Sequence, residues 1–293
     1  MTDATANARP APRQTLRAAL WMMGAILSFS AMAVGGRELA AELATWEIMA
    51  YRSAFGLVVI MAILLWREGR LNVATSQPRE HAARNIVHFA SQNAWFYAVA
   101  AIPLAQLVAI EFTNPVWVAL LAPLMLGERL TRARVAALAL GFIGVLIVTR
   151  PGLAPLELGH GAALFAAVGF AVTNIFTKRL SRQEAALTIL FWMSLSQMVM
   201  GFAIALPLGL TLFSWTLAPW MLLVGICGLT AHFALTSALM LIPASAVAPM
   251  EFARLPVIAV AGALLYGEPL EVAVFVGAAV ILAANMINFR ARS

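Results

Sequence analysis

Along this chain apolar residues come in long unbroken runs, with no alternation of apolar and polar positions. Ten runs approach the ~20 residues that an α-helix needs to cross the hydrocarbon core, and Gly, Pro and charged residues cluster between them. They predict membrane helices over 17–35, 43–66, 84–101, 104–126, 132–149, 158–177, 185–207, 217–240, 244–266 and 271–289. Continuous runs exclude a membrane β-barrel, whose strands alternate. Residues 1–16 read as a tail preceding the first run.

Composition agrees on the solvent. With 62% hydrophobic residues, 11% charged residues and a mean hydropathy of +0.89, the chain has more apolar surface than a soluble core of 293 residues could hide. Charge then orients it. Of 19 basic residues, fifteen fall on the side of the N-terminus, Arg37 and Arg150 on the other, and Arg52 and Arg254 within spans. By the positive-inside rule both termini are cytoplasmic. The basic pI of about 10.6 therefore marks orientation in a membrane, and nucleic acid is not an expected partner. Cys227 is alone, so no intrachain disulfide forms. The four histidines show no metal-ligand spacing, and no phosphate loop or nucleophile elbow occurs. No metal, cofactor, enzymatic activity or ATP-driven pumping is expected.

An internal repeat organises the runs. "IEFTNPVWVALLAPLMLGERL" from Ile110 returns 140 residues later as "MEFARLPVIAVAGALLYGEPL" from Met250. Over 102–130 against 242–270 nine of 29 positions are identical, among them Glu111, Phe112, Gly127 and Glu128. The chain is thus two units of five spans, 17–149 and 150–293. Five is odd, so the second unit runs through the membrane upside down. The expected fold is an all-α membrane protein of ten transmembrane helices in two inverted five-helix repeats, an architecture that suits alternating access.

Ten spans in two halves, an Arg early in the second ("MAYRSAFGL"), a fourth with mid-span Pro closing on Gly-Glu ("TNPVWVALLAPLMLGERLT") and "YGEPLEVAVFVGAAVI" near the end resemble the EamA type of the drug/metabolite transporter superfamily. The resemblance covers about residues 17–289. It implies a multi-pass secondary transporter of the bacterial inner membrane, surrounded by lipid, that exports amino acids, aromatic ones included, and related small metabolites through a cavity lined by both repeats. A multidrug or cationic-compound exporter, a nucleotide-sugar carrier and a non-transporting scaffold are the alternatives.

Charges inside spans are costly unless paired or facing a wet cavity, so they are the first candidates for gating. Arg52 reaches a depth comparable to Glu111 and is its expected partner; Arg254 lies one turn after Glu251 and is expected to pair with it. Such pairs serve equally as tethers between helices. Candidate cavity residues are Gln92 and Trp95, on one stripe of the third span with His88; Glu111, Asn114 and Trp117 on the fourth; His232 and Thr236 on the eighth; and Glu251 on the ninth. The 140-residue offset sets His232 opposite Gln92. Interhelical hydrogen bonding and packing are the competing readings for each. The two Gly-Glu pairs read as helix ends, with Gly taking a conformation other residues resist.

Overall fold

The computed structural model describes residues 12–126, 132–152, 155–212, 215–242, 247 and 250–290. Eleven helices lie among them. They are α1 (Pro12–Ala40), α2 (Thr45–Glu68), α3 (Pro78–Ala101), α4 (Leu104–Glu111), α5 (Asn114–Leu126), α6 (Arg132–Thr149), α7 (Leu158–Leu180), α8 (Ala186–Leu208), α9 (Ala218–Leu241), α10 (Arg254–Tyr266) and α11 (Val272–Arg290). Six are long and apolar enough to cross a membrane when α4 and the start of α5 count as one. With α4 and α5 as one crossing and helical 250–251 continuing into α10, the order is that of ten spans.

Two departures from the apolar runs have physical causes. α3 starts at Pro78, six residues before the expected span, because the charged residues of its first turns find partners: His81 pairs with Glu184 at 2.5 Å, and Glu80 with Arg179 at 3.6 Å. The fourth and ninth spans are broken, each directly after its Glu-Phe: Phe112–Thr113 and Phe252–Ala253 are turns. Pro115 and Pro256 follow within a few residues, and a proline cannot donate to the carbonyl four positions earlier. At the first break Val116 N–H bonds Thr113 O at 2.9 Å, leaving the Phe112 carbonyl without a helical donor; Nδ2 of buried Asn285, on α11, supplies one at 2.9 Å.

The packing follows a twofold. α1 lies on α9 and its image α7 on α3; α2 lies on its own image α8, and α6 on its own image α11. Gly144 and Gly277 meet across the α6–α11 seam: a Cβ on Gly277 would stand 2.7 Å from the Gly144 carbonyl oxygen. α10 ends on Gly267, whose φ of 66° is left-handed, with its N–H on Ala263 O and that of Glu268 on Gly262 O, as expected of a Gly-Glu end. Gly127-Glu128 lies outside the described residues.

Candidate functional site

The two helix breaks bring charge to the boundary between the halves. Glu111 closes α4, Arg254 opens α10, and these helices pack on each other. Arg254 Nη2 donates to Glu111 Oε1 at 2.8 Å, and the Trp95 indole N–H donates to Glu111 Oε2 at 3.0 Å. Arg254, only 3% exposed, sits between two aromatic rings, its guanidinium carbon 5.2 Å from the Phe29 centroid and 5.1 Å from that of Phe112. Phe112 in turn stacks on Phe252 with centroids 4.3 Å apart. The two copies of Glu-Phe thus meet at one place. Glu251 is within electrostatic reach of Arg254 and Glu111, and among the described residues it makes no hydrogen bond or ion pair. Arg254 therefore holds one carboxylate directly and feels the second only through space.

This corrects the expected pairing. Arg52 does not hold Glu111; its Nη1 donates to Gln92 Oε1 at 3.1 Å and its guanidinium faces the Phe96 ring, 5.8 Å from the centroid. Arg254 pairs across the halves with Glu111 instead of with Glu251 in its own half. Equal depth in the membrane does not choose a partner; the break in the fourth span does, by aiming Glu111 at α10.

A second correction concerns His232. His88 and His232 each begin the tripeptide His-Phe-Ala, and each ring stands edge-on to a phenylalanine: His88 to Phe170 of α7 at 5.8 Å, His232 to Phe29 of α1 at 5.3 Å. These contacts belong to the image pairs α3–α7 and α9–α1, so His232 corresponds to His88 and not to Gln92. The repeat runs at an offset of 144 here and at 140 by the prolines Pro103 and Pro243, a slip of about one helical turn.

The other expected cavity residues divide. Trp95 is buried, and its N–H is committed to Glu111. Asn114 joins α5 to α7, donating to Ala167 O at 3.0 Å and accepting from Asn174 at 3.1 Å. Trp117 donates to Thr113 Oγ1 at 3.0 Å and lines an apolar cavity of about 340 Å³ between α5, α6 and α7. Half-exposed Val135 and Phe142 edge that cavity, which puts it against lipid and away from the charges. The side chain of Thr236 lies outside the described residues. A smaller cavity of about 30 Å³ adjoins the charged centre between α2, α8 and α9; Arg52, Ser53, Gly56, Ser194, Gln197 and His232 line it. Among the described residues no three His, Cys, Asp or Glu side chains are placed to hold a metal ion.

Both rims of the bundle carry polar closures. At one, Arg37 of α1 forms an ion pair with Glu268, whose other oxygen accepts Leu104 N–H at 2.9 Å, while Tyr266 donates to Glu38 at 2.8 Å. The Gly-Glu end of α10 is therefore also a tether between the halves. At the opposite rim Glu184, in the α7–α8 turn, accepts from Thr75 and pairs with His81. Burial alone would raise the Glu184 carboxyl, but the bonds with Thr75, His81 and the Ser76 backbone together hold it below its usual range.

Sequence reasoning passed over Phe29, Gln197 and Asn285. Gln197 and Asn285 are isolated amides within apolar runs, "MSLSQMVMG" and "AANMINF", and that isolation was the available signal. Phe29 carried none, since a phenylalanine in an apolar span reads as filler.

Comparison with known proteins is consistent across the chain. The EamA-like transporter family matches residues 16–150 and again 157–290. A riboflavin transporter of Rhizobium johnstonii is 29% identical over 280 residues, covering 95% of this chain and 93% of that protein. A riboflavin transporter of Brucella anthropi is 30% identical over 239 residues, 80% and 84% of the two chains. An S-adenosylmethionine uptake transporter of Rickettsia felis is 24% identical over 266 residues, 91% and 90% of the two. One crystal structure superimposes with a TM-score of 0.64 at 17% identity, over 94% of this chain and 99% of that one, a likeness of fold.

Proposed function

The chain belongs to the EamA-like transporter family, and from that membership we propose that it is a secondary transporter of zwitterionic small metabolites with an aromatic or heteroaromatic part, aromatic amino acids included, across the bacterial inner membrane. The observation that carries the reading is the cross-repeat cluster. Arg254 lies between Phe29 and Phe112, pairs with Glu111 and leaves Glu251 without a hydrogen-bonded partner among the described residues. Such a centre offers cationic and anionic groups beside aromatic faces, the chemistry that a zwitterion with a flat ring requires. Because the pair joins the two halves, a rocking motion of one half against the other would break and remake it, which supports alternating access. The excess of basic residues on one side supports cytoplasmic termini.

A flat neutral ring system such as a flavin is the second reading. It is favoured by the names of the Rhizobium and Brucella relatives and by the stacked Phe112–Phe252 pair. Uptake of labelled tryptophan, S-adenosylmethionine, riboflavin and paraquat into protein-loaded and empty liposomes, under imposed pH and voltage gradients of either sign, separates these. Saturable flux of tryptophan or S-adenosylmethionine is expected. Riboflavin flux alone would transfer the assignment to the second reading, and paraquat flux alone would make the protein a cation exporter.

A further inference from the structure

Three arginines, Arg52, Arg84 and Arg254, lie within the charged region of the bundle, yet only Arg254 has a carboxylate on it. Arg84 is supplied in another way, with acceptors on all three of its nitrogens: Thr177, Asn85 and the Met193 sulfur. Arg52 is not. Its guanidinium carries five N–H donors, and among the described residues it makes a single hydrogen bond, to Gln92. A cation held inside a membrane with so few acceptors is costly, and an anion beside it removes that cost.

The remaining donors have a place to reach. Arg52 lines the cavity between α2, α8 and α9, which exists because Gly56 and Gly228 bring no side chains to its wall. Gln197 also lines it: it is fully buried, its Oε1 accepts from Ser53 Oγ at 3.3 Å, and its Nε2 has no partner. A buried amide N–H₂ left unbonded in an otherwise packed seam needs an acceptor. Ser53 and Ser194 add hydroxyls to the same wall. Arg52 and Gln197 stand on two walls, α2 and α8, no carboxylate lines the cavity, and at about 30 Å³ it has room for a small polar group.

Resting on the reading of the chain as a carrier of zwitterions, we propose that this cavity is the subsite for the substrate's carboxylate, bound by Arg52 with Gln197 Nε2 as second donor. Glu111 and Glu251, on the other side of the centre, then face the substrate's cationic group. Arg52 is a specificity residue for carboxylated substrates.

The test pairs each acid with the amine that lacks its carboxylate. Proteoliposomes holding the full-length protein, as wild type, Arg52→Gln, Gln197→Leu and Gly56→Val, are assayed for initial uptake of tryptophan and tryptamine, with retention in size-exclusion chromatography as the folding control. Arg52→Gln is expected to raise the KM for tryptophan by about tenfold or more, the loss of a charge-assisted bond, while changing tryptamine less than about twofold. Gly56→Val, which fills the cavity and leaves every charge in place, is expected to act in the same sense, and Arg52→Lys to restore part of the tryptophan flux. Equal effects of Arg52→Gln on acid and amine, or none on the acid, would overturn the subsite and leave the zwitterion reading standing. Absence of both fluxes in folded wild-type protein would overturn that reading and the subsite with it.

Discussion

Replacing Glu111 with Gln probes the pair that joins the halves. Arg254 is 3% exposed, and its carboxylate acceptor lies 2.8 Å away. Removing one partner of a buried pair leaves an uncompensated charge and costs about 3–5 kcal/mol. Two features here reduce the loss: Gln retains an oxygen for the Trp95 N–H, and Glu251 lies within electrostatic reach of Arg254. The expected destabilisation is therefore at the low end, about 3 kcal/mol. Unfolding in mixed micelles, followed by tryptophan fluorescence, reads it. A double-mutant cycle with Arg254→Gln should return a coupling of about 1–3 kcal/mol, while a cycle of Glu111→Gln with Arg52→Gln should be additive within about 0.5 kcal/mol. Stronger coupling of Glu111 to Arg52 than to Arg254 would refute the cross-repeat pair. Transport by Glu111→Gln should also fall further than the folded fraction does; a loss that only tracks folding would make the pair a tether.

Asn285→Leu removes the donor of the orphaned Phe112 carbonyl and should cost about 1–3 kcal/mol in the same assay, with a stability equal to wild type counting against that role. Gly277→Ala pushes a Cβ toward the Gly144 carbonyl oxygen at 2.7 Å, a backbone atom that cannot swing aside, so a loss of about 1–3 kcal/mol is expected; unchanged stability would mean that the α6–α11 seam is looser than described. Glu184 is held below its ordinary value in the folded protein, so its contribution is present above the unfolded value near 4.5 and is lost as pH falls through the lower folded value. Thermal melts between about pH 6 and 3 should show that acid loss, and Thr75→Val should move it to higher pH; identical profiles would show that the Thr75 bond is not felt.

Much of the fold was legible because a bilayer imposes one simple rule, a run of about 20 apolar residues per crossing. Nine of the ten spans end within about three residues of where their runs do, α6 over the same 132–149. What the runs could not show is that the fourth and ninth spans break after Glu-Phe, since prolines inside membrane helices are tolerated with and without a break. The start of α3 was hidden for the opposite reason: Glu80, His81 and Arg84 look like a loop until the α7–α8 region supplies their partners. Both copies of Glu-Phe lie where the halves meet, a place that the repeat in the sequence did not itself announce. The pairing did not follow from it, because depth along a helix is readable from sequence and the facing neighbour is not. That Gln197 and Ser53 wall one small cavity was hidden for the same reason: their contact exists only once α2 and α8 are set side by side.

Counterflow is the most direct test of the claim that the two halves form a carrier for zwitterionic metabolites. Proteoliposomes loaded with unlabelled tryptophan are diluted into a trace of labelled tryptophan, with no ion gradient imposed. A carrier that exchanges its site between the two faces gives a transient accumulation of label above its equilibrium level, absent from empty liposomes and abolished in Glu111→Gln. Label that enters without overshoot, or not at all while the protein remains folded, would contradict the account.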